Sequence, residues 1–305
     1  MGNKKEKAPA RSKVLQRRET LVSYLFLLPA LFFFVGFVIT PMAMGVITSF
    51  TDASFTDPVG KFVGLKNYIR LFQDKIFIKS AINTVIIVVV SVPVVTAFSL
   101  WVGSAIYRMH AGLRSFYRCV FYLPVVTGSV AVTVVWKWMF DKYDGLLNYI
   151  IRALGGKPLP WTSGESMALW CIILILFTTS IGQPIVLYVA ALGNVDASLE
   201  EAAKVDGAND FQVFWKIKWP SIMPTTLYVA VITTINSFQC FALIQLLTSG
   251  GPNYSTSTVM YLLYDIAFKT TKEFGYADAM GVVLAIVIAL FSALQFKVMN
   301  GGTTE

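Results

Sequence analysis

The polar side chains that could do chemistry in this chain are few, and most stand in one apolar stretch, "TTINSFQCFALIQLL". It holds three amides, Asn236, Gln239 and Gln245, with Phe238 and Phe241 between them. Amides offer donors and acceptors to hydroxyl groups, and aromatic faces suit the C–H surfaces of a hydroxylated solute. Asn236 and Gln239 are three residues apart and therefore share a helix face. The stretch predicts a pathway for a polar solute.

A second candidate for this pathway is Gln183, which stands beside the helix-bending Pro184 in another apolar run. Polar residues inside membrane spans commonly mark a solute or ion pathway. The alternative is that these amides only hydrogen-bond between helices, as polar residues in membrane bundles often do. The sequence leaves both interpretations open.

Enzyme chemistry finds little support in the remaining residues. The chain has one histidine, and its three cysteines lack metal-ligand spacing. It has no G-x4-G-K-[ST] phosphate loop. A membrane enzyme needs acidic, His or Cys groups that converge at one depth, and a secondary transporter usually carries charges inside its spans. We therefore predict no catalytic residue, no metal and no cofactor in this chain.

The composition indicates a membrane protein that crosses the bilayer several times. Hydrophobic residues make up 56% of the 305 residues and charged residues 14%, whereas soluble proteins carry about 25% charged residues. A helix needs roughly 20 mostly apolar residues to cross the hydrocarbon core. Six segments qualify, at Tyr24–Ser49, Ile82–Ile106, Cys119–Met139, Ala168–Leu192, Ile222–Leu247 and Ala279–Phe296. The predicted fold class is all-α, with six transmembrane helices.

The distribution of basic residues predicts the orientation. Seven of them precede the first span: Lys4, Lys5, Lys7, Arg11, Lys13, Arg17 and Arg18. Such a cluster favours a cytoplasmic N-terminus, and six spans return the C-terminus to the same side. We predict a basic tail at 1–20, one transmembrane domain at 21–300 and a short tail at 301–305. The net charge of +8 lies in short flanks between apolar runs, which argues against nucleic acid.

A polar, helix-patterned segment, "SLEEAAKVDGANDFQVFWKIKWP", separates the fourth and fifth predicted spans on the cytoplasmic side, at about 195–219. Ser198 with Glu201 forms a capping-box pattern, and Asp196 could cap instead, so a helix begins near Leu199. Gly207 suits a left-handed stop for that helix.

A second, amphipathic helix follows, whose apolar positions are Phe211, Phe214, Trp215 and Ile217. Pro220 then stands in the first turn of the fifth span. The segment is either an anchor in the membrane interface or a docking site for a cytoplasmic partner.

Six residues of this segment fit the pattern E-A-A-x3-G-x9-I-x-L-P, except that Trp219 replaces the leucine: Glu201, Ala202, Ala203, Gly207, Ile217 and Pro220. The pattern resembles the EAA loop of ABC importer permeases. "FVGLKNYIRLFQDKIFIKSAINT" and "LTSGGPNYSTSTVMYLLYDIAF" are similar to stretches of the maltose-type and glycerol-phosphate-type carbohydrate subgroup.

The resemblance implies a permease subunit of an ATP-driven importer in a bacterial or archaeal cell membrane. Its expected partners are a second, related permease, two ATPase subunits that bind ATP and Mg, an extracytoplasmic solute-binding protein and the lipid bilayer. The expected solute is a sugar, and the absence of an arginine cluster in the spans favours a neutral oligosaccharide.

The resemblance also assigns a group of residues to contact with the ATPase: Glu200, Glu201, Ala202, Ala203, Asp206, Gly207, Ile217 and Pro220. An importer of a non-sugar solute, a secondary transporter without an ATPase and a permease homodimer remain alternatives.

Overall fold

The computed structural model describes residues 13–300, and for 13–19 and 300 it describes the backbone alone. Most of the predicted N-terminal tail, and all of the tail at 301–305, lie outside the described residues. Helix α1 already begins at Lys13, inside the predicted tail. Residues 13–300 contain no strand, only two isolated bridges that join Thr51 to Phe62 and Ser54 to Glu273. The all-α prediction is confirmed for this part of the chain.

The first long helix is α1 (Lys13–Phe34), which continues through a π-helical segment (Val35–Ile39) into α2 (Thr40–Thr48). Pro41 has no N–H to donate to the preceding turn, and the π segment accommodates that missing bond. The most apolar stretch of this helix has no buried residue. Its face is therefore free to contact lipid or another chain.

Helix α4 (Lys75–Tyr107) is the centre of the bundle, and the short α3 (Lys66–Gln73) precedes it. Asp74 caps α4 by accepting hydrogen bonds from the backbone N–H groups of Ile76 and Phe77. Buried residues of α4 belong to three separate core clusters. The other helices are therefore positioned largely by their packing on α4.

The remaining helices follow in chain order, with two further π segments at Phe214–Lys218 and Asp265–Lys269: α5 (Ala111–Thr127), α6 (Ser129–Met139), α7 (Leu146–Ala153), α8 (Glu165–Ser180), α9 (Gly182–Gly193), α10 (Ala197–Val205), α11 (Asp210–Val213), α12 (Trp219–Phe238), α13 (Ala242–Leu247), α14 (Val259–Tyr264) and α15 (Phe274–Asn300).

Three helices in the described part of the chain are long and apolar enough to cross a membrane, at Thr20–Thr48, Lys75–Tyr107 and Phe274–Met299. They correspond to the first, second and sixth predicted spans. The count rises to five if the bent pairs α5–α6 and α8–α9 are each one span. A total of six spans stays a prediction.

Three predicted spans differ in shape from the expectation of a continuous helix. The fourth bends by 41° between α8 and α9. The third bends by 95° between α5 and α6, where Gly128 has a φ of +83°, a conformation that glycine adopts without strain. The fifth ends at Phe238 instead of continuing to Leu247. The hydroxyl of Thr258 donates to the carbonyl of Cys240 over 3.0 Å, which satisfies a backbone group left unpaired by this break.

Candidate functional site

The polar segment folds as a helix, a bend and a second helix. Asp196, one of the two predicted caps, begins α10: its carboxylate accepts a hydrogen bond from the backbone N–H of Ser198 over 2.9 Å. That bond favours the charged carboxylate and lowers the pKa of Asp196 below its usual range. The helix therefore begins at Ala197, two residues before the predicted Leu199.

Gly207 ends α10 in the left-handed conformation, with a φ of +83°. Its N–H donates to the carbonyl of Lys204 over 3.1 Å, and the N–H of Ala208 donates to the carbonyl of Ala203 over 2.9 Å. These two bonds form a Schellman motif, the helix ending that most often uses glycine. A side chain at this position would meet no atom within 4 Å, so the requirement for glycine comes from the backbone alone.

The second helix begins with a capping box that the sequence analysis missed, although its N-x-x-Q signal was present. The N–H of Gln212 donates to the Asn209 side chain over 2.9 Å, and the N–H of Asn209 donates to the Gln212 side chain over 3.0 Å. Helix α11 then continues without a break through the π segment into α12. Helical structure therefore extends from Asp210 into the predicted fifth span, whose start in the membrane, at Ile222, stays a prediction.

Most of the predicted contact residues are open to a partner. Five of them are exposed and three are partly buried; the exposed ones are Glu201, Ala202, Asp206, Gly207 and Pro220. Exposed apolar side chains stand among them, with Val205 87% and Phe211 71% exposed. Exposed apolar groups in such number mark a contact surface for protein or lipid. We call Leu199, Val205, Phe211 and Trp215, together with these five residues, the docking face.

Two of the predicted apolar positions of the second helix are open to a partner or to lipid. Phe211 and Trp215 are exposed, whereas Val213 and Lys218 are buried. The Nζ atom of Lys218 lies 2.7 Å from the carboxylate of Glu200, a residue that the sequence analysis had assigned to the partner contact. Tyr107, at the end of α4, hydrogen-bonds the same ammonium. Neither Lys218 nor Tyr107 was identified from the sequence, because only the tertiary fold brings them together.

A groove lies between α5, α8, α9 and α12 and extends to α6. Its middle part is a cavity of about 180 Å³ that Gln183 and Asn236 both line. A neighbouring cavity of about 310 Å³ is lined by Gln239 and Phe241 and shares Val125 with the first. A third, of about 510 Å³, is lined by Arg118 and Tyr122 and shares Gln183 with the first. The three cavities therefore adjoin, and we refer to them together as the groove.

The structure places four of the six predicted pathway residues in this groove and two elsewhere. Phe238 is 1% exposed and packs edge-on against Phe291, with ring centroids 5.4 Å apart. Gln245 accepts a hydrogen bond from Lys269 over 3.1 Å. The chain breaks after Phe238, so Gln245 does not continue the helix face of Asn236, and Phe238 points into the core. A pathway role for these two residues stays a prediction that the groove does not support.

Residues 72–300 match the family described as "Binding-protein-dependent transport system inner membrane component". The chain belongs to this family. It is 33% identical to the diacetylchitobiose uptake system permease protein NgcF of Streptomyces coelicolor, over 96% of this chain and 87% of that protein. It is 30% identical to the lactose transport system permease protein LacF of Rhizobium radiobacter, over 92% of this chain and 95% of that protein.

The fold of this permease is also known from a solved structure. A chain in the crystal structure of a bacterial alginate ABC transporter, in complex with an alginate pentasaccharide-bound periplasmic protein, matches it with a TM-score of 0.81. The match covers 93% of this chain and 96% of that chain, at 21% identity. The TM-score shows a shared fold. The permease is thus a multi-pass membrane component of a binding-protein-dependent transport system.

Proposed function

We propose that this permease forms half of the translocation pathway of an ATP-driven sugar importer. The solute is an oligosaccharide that an extracytoplasmic binding protein delivers. Relatives named for diacetylchitobiose and lactose uptake support a sugar, as does the structural match to an alginate transporter. The amides and the aromatic ring in the groove fit hydroxyl groups and the C–H face of a sugar ring.

One observation carries the mechanism: a single continuous helix joins the docking face to the groove. It runs from Asp210 through the π segment to Phe238 and is about 40 Å long at 1.5 Å per residue. Phe211 of the docking face lies at one end, and Asn236 of the groove lies near the other. A displacement of the docking face can therefore be passed to the groove along one continuous helix.

In the proposed cycle the permease hydrolyses no ATP. Two ATPase subunits bind ATP and Mg, and their closure moves the docking face. The movement shifts the bundle between inward- and outward-open states, since a partner that contacts the two states differently changes their populations. A second, related permease provides the other half of the pathway.

We also infer that both termini and the docking face lie in the cytoplasm and that the chain crosses the membrane six times. The basic residues before the first span support this orientation. Length and apolarity allow up to five spans in the described residues. Helix α12 would be the sixth, because its 20 residues reach about 30 Å, the thickness of the hydrocarbon core.

The test is purification of the tagged permease from its host membrane in mild detergent, followed by mass spectrometry of the associated proteins. We expect an ATPase and a second permease to copurify. Replacement of Ala203 by Asp puts a charge on α10, beside the docking face, and should release the ATPase while the second permease remains. A permease that emerges alone, or only with copies of itself, would contradict the proposal and favour an interfacial anchor as the role of the segment.

A further inference from the structure

A buried ion pair lies directly behind the docking face. The Nζ atom of Lys218, in the π segment before α12, is 2.7 Å from Oε1 of Glu200 on α10. The Lys218 side chain is 1% exposed and that of Glu200 is 22% exposed. The hydroxyl of Tyr107, the last residue of α4, accepts a hydrogen bond from the ammonium. Two neighbouring elements and the distant end of α4 therefore meet at one ammonium group.

Because the Lys218 ammonium is buried, it requires these particular partners. An ammonium removed from water is strongly unfavourable unless a charged or polar group compensates for it. Glu200 supplies the opposite charge, and the Tyr107 hydroxyl accepts a hydrogen bond from the ammonium. Removal of one member leaves a buried charge without its partner, and this destabilises the fold far more than removal of both members.

Helix α10 has little else to hold its orientation. Within Ala197–Val205, all of which the structure describes, no residue is buried. Hydrophobic packing therefore does not fix the helix, and its covalent link to α11 passes through the bend at Gly207. A second ion pair nearby, between Arg108 and Asp210, spans 3.4 Å between side chains that are at least half exposed. Exposed pairs of this kind contribute little.

We propose that Lys218 is a positioning residue for ATP coupling. It ties α10 through Glu200 to the helix that enters the groove and, through Tyr107, to the end of the central helix α4. The docking face then moves α12 and α4 together with α10, and the movement is not absorbed at the Gly207 bend. This inference rests on the proposed docking role of α10 and adds the internal link that makes docking productive.

The first test is charge reversal in the complete transporter. Glu200→Lys and Lys218→Glu each place like charges together, and the double variant restores an opposite pair. We expect each single variant to keep the ATPase bound, because the docking face is unchanged, and to transport about tenfold less solute per ATP hydrolysed. The double variant should recover most of the loss. Asp210→Asn, which breaks the exposed pair, is the matched control and should leave the ratio unchanged.

The second test needs neither ATPase nor solute. Spin labels at positions 104 and 198, in the full-length chain with Cys119 replaced by Ser, report the distance between α4 and α10. Tyr107→Phe keeps the ring and removes the hydroxyl, and we expect a broader distance distribution than in the parent. An unchanged distribution, or a double reversal no better than the single variants, would overturn the inference. If no ATPase copurifies with the parent permease, that result would contradict the proposed function and not the internal link.

Discussion

The bend at Gly207 offers a sharp test of coupling, because the chain contains a matched control. Gly155 ends α7 with a φ of +81°, against +83° for Gly207. It makes the same pair of bonds: its N–H donates to the Arg152 carbonyl, and the next N–H donates to the Ile151 carbonyl. A side chain at either glycine meets no atom within 4 Å. Gly207→Val and Gly155→Val therefore impose the same backbone strain at two different places.

The magnitude follows from that strain. The left-handed conformation costs an ordinary L-residue about 1–2 kcal/mol, and a β-branched residue more, since it is a clear outlier there. A cost of one or two kcal/mol lowers the population of the native bend relative to its alternatives by a factor of about 5–30. If the ATPase binds only permease molecules that have the native bend, its apparent affinity for the permease falls in proportion to their population. The full factor applies once the native bend is the minor state.

The assay is solute uptake and ATP hydrolysis by the reconstituted transporter, at matched amounts of permease. We expect uptake per ATP to fall strongly for Gly207→Val, moderately for Gly207→Ala and least for Gly207→Asn, because asparagine tolerates the left-handed region best of the three. Gly155→Val should transport normally. Normal coupling by Gly207→Val, or an equal loss in Gly155→Val, would refute the reasoning from the bend.

Three further predictions concern the groove, the core and the loop after α6. Gln183→Ala and Asn236→Ala should each raise the KM for uptake about two- to tenfold, the effect of one lost hydrogen bond, whereas Gln245→Ala should not; equal effects of all three would argue against the groove as the pathway. Phe238→Ala should lower the free energy of unfolding of the purified protein by about 3–5 kcal/mol, as a cavity in the core does, without changing the KM. A changed KM at unchanged stability would indicate that Phe238 contacts the solute. Asn148 is fully buried, and its side chain bonds three backbone carbonyls, one backbone N–H and an indole. Asn148→Ala should therefore loosen this loop by about 1–3 kcal/mol, seen as faster limited proteolysis, and resistance equal to the parent would contradict that role.

Local signals predicted the docking segment well. The Asp196 cap, the stop at Gly207 and the helix between them each depend on residues within a few positions of one another, so the sequence contains the necessary information. The same is true of the capping box at Asn209, which was overlooked although Gln212 stands at the required spacing.

Long-range contacts could not be predicted in this way. A lysine between Ile217 and Trp219 is expected to be solvated, and its burial depends on Tyr107, which is 111 residues away. The helix break after Phe238 has no glycine or proline to signal it in the next three residues, and Thr258 stabilises it from another part of the chain. That break takes Gln245 off the predicted helix face, whereas Phe238 lies before the break and packs on Phe291, a contact between distant parts of the chain.

The decisive measurement is accumulation of labelled di- and oligosaccharides in proteoliposomes that contain the purified transporter, with binding protein outside and ATP inside. We predict uptake of at least one neutral oligosaccharide that requires ATP, the ATPase and the binding protein together, and that Ala203→Asp abolishes. Uptake that persists without the ATPase, or that a proton gradient drives in the absence of ATP, would contradict an ATP-coupled permease.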